Sequence, residues 1–493
     1  MSYVGYEWIR QQLKLQVFPI RRPARVSPVS RLAVEDNALR VPAAVAPQGD
    51  SLLAHLLFAV KHEGINLQVL AQCLPKLAAH EMLAAVMAQP SGRYVRILGF
   101  LWEAFSQQLL AEELLVTGPT VAVFDPKRYI CGPDQRCARW RVNFNGLGNT
   151  GYCVTVERTP EITELLAQNI LEKANAFACG LSQQTLDRAM SWAYLHETQS
   201  SFAIEHEQPL QDKAQAFVQL LRQAHEPRLL DESYLVALQN LCITNPLDKA
   251  VFYRHQQNWL QGPLRGAMGV TYVPPEPSEV RLLMAELLKL ANHWHGQVEP
   301  LVAASVLSFA FVFIHPFMDG NGRLSRFLYH YMLAQSGQLR KGLLLPVSVA
   351  MKRNEDAYLQ ALQSFSVPMR EQWQVHWLGD ENYTFDLLGE YSLYRYWDAT
   401  ECVLFGLRMA QQALEQDLYE ETRFLQAFDR IYRAIDQRFD VRGKDLSVLV
   451  IGALQNQGKV SNNRRRQFQD SVQPQVFDAI EEQICEQQEE GKR

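Results

Sequence analysis

The sequence predicts a mainly α-helical protein: a helical core with a β-hairpin flap, a small β-containing segment before it, and a helical or winged-helix-like C-terminal module. Three observations lead to this prediction. Apolar residues recur at helical spacing through most of residues 161–391. Residues 116–160 instead alternate short β-rich runs with Gly and Asn turns. Residues 392–493 are charged and carry one apolar stripe at helical spacing.

The length of 493 residues exceeds that of one typical domain. Residues 1–115 are predicted to be mainly helical, with an extended arm rich in Pro and Arg at 19–30. Residues 116–160 form the β-rich segment and residues 161–391 the core. The C-terminal module then begins at residue 392.

The C-terminal module carries its apolar stripe on one predicted helix, which is followed by three adjacent arginines, Arg464, Arg465 and Arg466. Such a run can contact nucleic-acid phosphates, but a solvated helix face is its more common explanation. Nucleic acid is therefore an open but unfavoured partner, and a role in target selection or regulation is the alternative.

Composition narrows the class of protein. Hydrophobic residues make up 47% and charged residues 20%, and the net charge of −5 argues against a general nucleic-acid binder. The longest apolar run, residues 301–314, is too short to span a membrane, and no leader-like segment opens the sequence, so a cytoplasmic protein is expected. Cys131, Cys137 and Cys153 lie closest together but lack paired histidines, which favours reduced cysteines over zinc.

The most informative segment, residues 315–326, reads His-Pro-Phe-Met-Asp-Gly-Asn-Gly-Arg-Leu-Ser-Arg. It lies between an apolar helix and an amphipathic helix, and a helix N-terminus with permissive glycines is suited to holding phosphate. Arg323 and Arg326 share a helix face, and Asp319 supplies the hard oxygen that Mg²⁺ takes beside substrate phosphates. His315 has an ordinary pKa that suits a general base.

A lone His at a helix end, or a lone Gly-x-Gly, is usually structural. A structural turn, however, needs neither two arginines nor an adjacent carboxylate. The combination therefore predicts attack of a hydroxyl on a nucleotide phosphate.

Every defined position of this segment resembles the motif of the Fic family, His-Pro-Phe-x-Asp/Glu-Gly-Asn-Gly-Arg-x-x-Arg. The resemblance implies transfer of AMP from ATP to a Tyr, Thr or Ser hydroxyl of a target protein, with release of pyrophosphate. It implies that His315 is the base, that Asp319 holds Mg²⁺ and that Phe317 anchors the loop in the core. It assigns the phosphates to Gly320, Asn321, Gly322, Arg323 and Arg326. Relatives that phosphorylate carry Lys at position 322, so Gly here favours adenylylation.

Ser201 and Glu205 resemble the inhibitory motif of that family, Ser/Thr-x-x-x-Glu-Gly/Asn, on a helix expected near residues 184–206. The resemblance implies that Glu205 pairs with Arg326 and prevents productive seating of the ATP γ-phosphate. His206 departs from the motif, because the family has Gly or Asn there. An exposed helical Ser and Glu without this role is the alternative.

Residues 253–272 resemble the family's flap, a β-hairpin that pairs with the target segment. The expected docking edge is Gln257, Asn258, Trp259 and Leu260; an ordinary surface loop with Trp259 in the core is the alternative. Tyr358 lies where the family often has a tyrosine near the nucleotide, although plain helix packing explains it equally.

The favoured function is thus an autoinhibited, Mg²⁺-dependent protein adenylyltransferase. Removal of AMP by the same site, with Glu205 positioning a water, is one alternative. A regulator that binds nucleotide without turnover is another, and His315 and Asp319 argue against it. Self-modification and a homodimer remain open, and the target protein is unidentified.

Overall fold

The computed structural model describes residues 2–243, 245–380 and 382–490. Helices dominate and the sheets are small, which confirms the predicted mainly α-helical class. No helix in these ranges is long and apolar enough to cross a membrane.

The N-terminal region combines helices with a four-stranded sheet. The helices include α1 (Gly5–Gln12), α2 (Leu52–His62), α3 (Leu67–Cys73), α4 (Ala79–Ala88) and α5 (Arg93–Ser106). The strands are β1 (Tyr3–Val4), β2 (Ala24–Val26), β3 (Ala33–Glu35) and β4 (Ala38–Val41), in the order β1-β2-β4-β3. Part of the predicted extended arm is thus a sheet strand, β2.

The β-rich segment forms two three-stranded sheets. Its strands are β5 (Val121–Ala122), β6 (Gln135–Cys137), β7 (Val142–Phe144), β8 (Leu147–Gly148) and β9 (Cys153–Thr155). The first sheet has the order β5-β7-β6, and β8 and β9 form part of the second.

The core begins with α6 (Pro160–Ala167), α7 (Ile170–Cys179), the long α8 (Gln183–Ile204), α9 (Gln211–Gln223) and α10 (Glu232–Cys242). The flap follows as β10 (Leu260–Gln261) and β11 (Val270–Tyr272), which are antiparallel. Five further helices are α11 (Pro277–His293), α12 (Pro300–Ile314), α13 (Asn321–Gln335), α14 (Val347–Arg353) and α15 (Glu355–Arg370). A second hairpin, β12 (Trp373–Gly379) and β13 (Asn382–Leu387), packs beside the flap.

The chain then returns to the β-rich segment. After α16 (Ser392–Arg395), strand β14 (Tyr396–Asp398) pairs in parallel with β9, with Tyr396 opposite Cys153. The sheet order is β14-β9-β8. The start of the predicted C-terminal module is therefore built into the sheet of the β-rich segment.

Two hydrophobic cores are joined by one helix. After α17 (Thr400–Gln412) and a π-helical segment (Ala413–Leu418), α18 (Tyr419–Asp436) places Leu425 in the main core and Ile431 and Ile435 in a second core. The second core also includes α19 (Gly443–Gln455), α20 (Asn462–Phe468) and α21 (Pro474–Glu490). Residues 399–490 contain no strand, so of the two forms expected for this module the structure has the helical one.

Candidate active site

The site is built on the turn between α12 and α13. Glu299 caps α12 by accepting the Val302 N–H at 2.7 Å, and nearly every side chain of α12 is buried. The helix ends when His315 adopts a left-handed backbone, with φ of 52°, and Gly320, with φ of 85°, leads into α13. The buried side chains of α12 thus anchor the start of the loop 315–320 in the core.

Phe317 and Asn321 close the loop. The Asn321 side chain accepts the Phe317 N–H at 3.0 Å and donates to the Phe317 carbonyl at 2.8 Å. Phe317 itself is 1% exposed and packs near Tyr253 and Phe311. The loop is therefore held from within by Asn321, the first residue of α13, and the first N–H groups of that helix have no acceptor within the helix.

His315 is positioned as a neutral base. Its Nδ1 lies 3.2 Å from the Val312 carbonyl, which can only accept, so Nδ1 carries the proton and Nε2 has a free lone pair. Burial is the largest cause that lowers the pKa of His315, to about 4, and the Arg254 cation acts in the same direction. The Val312 hydrogen bond and the carboxylates of Glu205 and Asp319 oppose this shift.

Arg326 is enclosed by the end of α8. It is 1% exposed, and its Nε donates to the Ser201 hydroxyl at 2.8 Å while Nη2 donates to the Ser201 carbonyl at 2.7 Å. Nη2 also donates to Glu205 Oε1 at 2.9 Å. Although burial alone would raise it, the Arg326 guanidinium holds the pKa of Glu205 below its ordinary value, so Glu205 is a carboxylate.

Gly322 makes room for this pair. A Cβ added at Gly322 would lie 2.0 Å from Glu205 Oε1, so the Glu205 carboxylate would have to move away from its present position. The absence of a side chain at position 322 therefore permits the close approach of Glu205. It also suits the phosphate binding expected of Gly320, Asn321, Gly322, Arg323 and Arg326, which are together called the phosphate cradle.

His206 closes the end of α8. Its N–H bonds the Ala203 carbonyl and the Glu207 N–H bonds the Phe202 carbonyl, at 3.0 and 3.1 Å, the two bonds of a Schellman motif. His206 has a φ of 58°, the left-handed conformation that this motif requires. The departure from Gly or Asn thus leaves the helix end in its usual geometry.

Arg323 meets a carboxylate that sequence reasoning missed. Its Nη1 donates to Glu207 Oε2 at 2.8 Å and to the Cys242 carbonyl at 3.1 Å, and Nη2 donates to both oxygens of Asp319 at 3.0 and 3.2 Å. The guanidinium also lies 5.2 Å from the centre of the Phe202 ring. Two acidic residues at the C-terminal end of a helix are electrostatically unfavourable without a cation, and that pattern is the clue available in the sequence.

Asp319 is the candidate metal ligand. Its side chain is 42% exposed, and it also accepts the Gly320 N–H at 2.6 Å. The described residues contain no cluster of three or more His, Cys, Asp or Glu suited to a metal. A single exposed carboxylate beside an anion cradle fits Mg²⁺, which binds one or two carboxylates and completes its shell with phosphates and water.

Tyr358 lies beside the site on α15. Its ring centre is 6.0 Å from that of Phe309 and 5.5 Å from that of Phe405. Burial raises the pKa of Tyr358, and the nearby Arg326 opposes this. The structure thus places Tyr358 next to the second arginine, within an aromatic wall.

Of the four flap residues expected to dock a target, three are held by contacts within the protein and the fourth, Leu260, is exposed. Asn258 is buried and points toward the Phe317 and Met318 carbonyls, and Gln257 donates to the Pro274 carbonyl. Trp259 packs on Tyr383 and Phe385 of the second hairpin. Leu260, which is 39% exposed, lies on the open strand β10.

Comparison with known proteins finds family similarity for part of this chain. Residues 229–333 match the model of the Fic/DOC family. Over 67 residues, 13% of this chain, the sequence is 39% identical to protein adenylyltransferase Fic of Drosophila yakuba and 37% identical to that of Drosophila melanogaster. The match spans 14% of the length of each of these relatives.

Among the solved structures that align with this chain are two Fic proteins of low sequence identity. A Fic family protein from Desulfovibrio desulfuricans aligns with a TM-score of 0.38 and 20% identity over 65% of this chain and 86% of that protein. Fic-1 from C. elegans aligns with a TM-score of 0.34 and 13% identity over 78% of this chain and 95% of that one. The family model and the sequence relatives thus agree that residues 229–333 are similar to a Fic/DOC family domain.

Proposed function

We propose that this protein transfers AMP from ATP to a hydroxyl of a target protein and that its own α8 inhibits the transfer. One observation carries the proposal: a neutral histidine base and two buried arginines surround a helix N-terminus, and Glu205 occupies one of those arginines at 2.9 Å. The relatives named protein adenylyltransferase support the same chemistry.

In this reaction the hydroxyl oxygen of the target attacks the α-phosphorus of ATP. The bond from that phosphorus to the bridging oxygen breaks, pyrophosphate leaves, and the proton of the hydroxyl passes to Nε2 of His315. Mg²⁺, when held by Asp319, neutralises phosphate charge. The N–H groups that follow Gly320, together with Arg323 and Arg326, stabilise the charge that develops on the departing pyrophosphate.

Inhibition follows from competition for Arg326. A γ-phosphate bound by Arg326 would compete with the Glu205 carboxylate, which already accepts from Nη2 of the guanidinium. The Ser201 hydroxyl and carbonyl accept from Nε and Nη2 of Arg326 and so hold the guanidinium against α8.

Removal of AMP is the second candidate function. Glu205 is ionised and 37% exposed, so it is able to orient a water molecule. The two functions use the same residues and differ in what Glu205 does.

The test is transfer of label from α-labelled ATP, with Mg²⁺, to proteins of a bacterial lysate. We expect little transfer by the wild type, strong transfer by Glu205→Gly and none by Glu205→Gly with His315→Ala. Glu205→Gln is the matched variant, since it keeps the shape and removes the charge.

Other outcomes redirect the proposal. Transfer from γ-labelled ATP would mean phosphorylation. If no variant transfers label, release of AMP from a pre-labelled lysate tests the reverse reaction. Nucleotide binding without either activity would leave a binding-only regulator.

A further inference from the structure

The flap and the loop 315–320 meet at one buried arginine. Arg254 is 4% exposed, and its Nε donates to the His315 carbonyl at 2.8 Å. Its Nη1 donates to the Gln256 carbonyl at 3.0 Å and its Nη2 donates to the Pro275 carbonyl. Its backbone N–H bonds the Pro316 carbonyl at 2.8 Å. One side chain thus joins the two ends of the flap to the residue that carries the base.

All three acceptors of this guanidinium are carbonyls, and no ion pair to a carboxylate within 4.0 Å occurs among the described residues. Burial lowers the pKa of Arg254 to about 10, so it remains a cation at neutral pH. Burying a cation without an opposite charge is costly. A planar fork of N–H donors is the side chain that can satisfy carbonyls from separate segments at once, and Lys is not equivalent.

The bond to the His315 carbonyl falls where the backbone needs support. His315 has a positive φ, which is unfavourable for a residue with a Cβ. Arg254 holds its carbonyl from one side, while Asn258, four residues further along the flap, approaches the Phe317 and Met318 carbonyls at 3.4 Å. The flap therefore supports the loop along most of its length.

We propose that Arg254 is a positioning residue that couples the flap to the catalytic loop, so that a target segment bound by the flap is aimed at Nε2 of His315. This inference rests on the proposed function. Arg254 touches neither reacting atoms nor the arginines of the phosphate cradle, and it acts through the His315 backbone.

Arg370 offers a matched control. It donates to the Val270 and Ala267 carbonyls of the flap, at 2.8 and 3.0 Å, and to the Trp373 carbonyl at 2.8 Å. It is likewise an arginine that holds flap carbonyls, but its hydrogen bonds end away from the loop 315–320. Arg254→Met and Arg370→Met therefore remove similar flap support and differ in the link to His315.

The first readout is amide hydrogen exchange of the whole 493-residue chain. In Arg254→Met we expect residues 255–262 and 315–320 to exchange faster together, by about tenfold, since both segments lose a shared support. In Arg370→Met we expect faster exchange at 264–272 only. Unchanged exchange at 315–320 in Arg254→Met, or equal loss there in Arg370→Met, overturns the coupling.

The second readout is label transfer in the Glu205→Gly background, beside calorimetric binding of Mg²⁺-ATP. Adding Arg254→Met should lower transfer by about 100-fold, the effect of misplacing a catalytic group, while ATP affinity stays within about twofold. Arg254→Lys, which keeps the charge and one donor, should recover part of the rate. Full transfer by the Arg254→Met variant overturns the inference. Absence of transfer by Glu205→Gly itself would instead count against the proposed function, and the exchange experiment would still decide the coupling.

Discussion

The imidazole of His315 is placed by one hydrogen bond of its Nδ1 and by the positive φ of its backbone. The bond from Nδ1 to Val312 leaves Nε2 free, and burial lowers the pKa of the imidazole to about 4. An ordinary histidine has a pKa of about 6.5. In the folded protein His315 is therefore neutral well below neutral pH.

This gives a prediction for the pH dependence. Label transfer by Glu205→Gly should stay constant from about pH 8 to about pH 5.5, because the base is already neutral there. The Glu205 carboxylate raises the pKa of His315, so its removal in this variant lowers that pKa further. A rate that falls by half near pH 6.5 would contradict the geometry.

The same shift affects stability with a definite sign. The unfolded chain binds a proton below about pH 6.5 and the folded site does not, so His315 costs stability as the pH falls from about 6.5 to about 4.

His206 supports a second prediction at this scale. A left-handed residue with a Cβ costs about 1 kcal/mol relative to Gly, so His206→Gly should stabilise the end of α8. We expect about fivefold slower exchange at residues 203–207 and lower basal transfer, since Glu205 is held more firmly. His206→Ala keeps the Cβ and is the control; equal slowing by Ala and Gly would show that the torsion is not the cause.

The roles assigned to individual residues were predictable to different degrees. Residues 315–326 carry their chemistry in a contiguous run, so a local pattern was enough to select them. Arg254 and Glu207 contact residues far along the chain, and neither lies within a local motif. The sequence predicted for Gly322 a part in phosphate binding only, whereas its closeness to Glu205 is seen only in the three-dimensional structure.

At the scale of elements, the segment after α8 binds both arginines. Glu205 pairs with Arg326, and Glu207 pairs with Arg323 at 2.8 Å. Glu207 is 35% exposed, so its pair with Arg323 is worth about 1 kcal/mol or less.

We therefore predict a graded release of inhibition. Relative to Glu205→Gly, the double variant Glu205→Gly with Glu207→Gln should bind Mg²⁺-ATP about two- to fivefold more tightly, because Arg323 then has one competitor fewer. Isothermal calorimetry measures this. The control is Glu205→Gly with Glu226→Gln, which removes a carboxylate that pairs with neither arginine. Identical affinities in all three variants would remove Glu207 from the inhibitory contact.

The helices of the core were predictable because their apolar residues recur at short range. The pairing of β14 with β9 was not, since Tyr396 and Cys153 are separated in sequence by the whole core. The hairpin of β12 and β13 lies in a region predicted as helical, although its alternating residues, such as Tyr383 and Phe385, are typical of a strand. The prediction for this hairpin was therefore wrong, because helical spacing was assigned to residues that alternate as in a strand.

At the scale of the molecule, α8 connects the C-terminal helices to the site. Near its start, Arg188 Nη1 donates to Asp429 of α18 at 2.6 Å, and near its end Glu205 holds Arg326. Between these two pairs, the carboxylate of Glu197 is fully buried. It accepts hydrogen bonds from the backbone N–H of Ser348 on α14, at 2.8 Å, and from the Ser348 hydroxyl. It also lies 2.7 Å from Nε2 of His330 on α13.

These contacts predict which part of α8 controls inhibition. The Arg188–Asp429 pair is partly exposed and worth about 1 kcal/mol or less, so Arg188→Ala should speed exchange at residues 183–190 and leave transfer at the wild-type level. Glu197→Ala removes a buried carboxylate and leaves Ser348 and His330 without it, at a cost of about 3 kcal/mol. Label transfer by Glu197→Ala should rise although Glu205 is intact, because the helix that presents Glu205 is no longer fixed to α13 and α14.

Glu197→Gln separates this effect from loss of the fold, since its amide oxygen still accepts from the Ser348 N–H. We expect transfer between those of the wild type and Glu197→Ala, with a melting temperature near the wild type. If Arg188→Ala raises transfer as much as Glu197→Ala, the C-terminal helices control the site through the whole length of α8. If neither variant does, the position of Glu205 depends on the helix end alone, where His206 and Ser201 hold it.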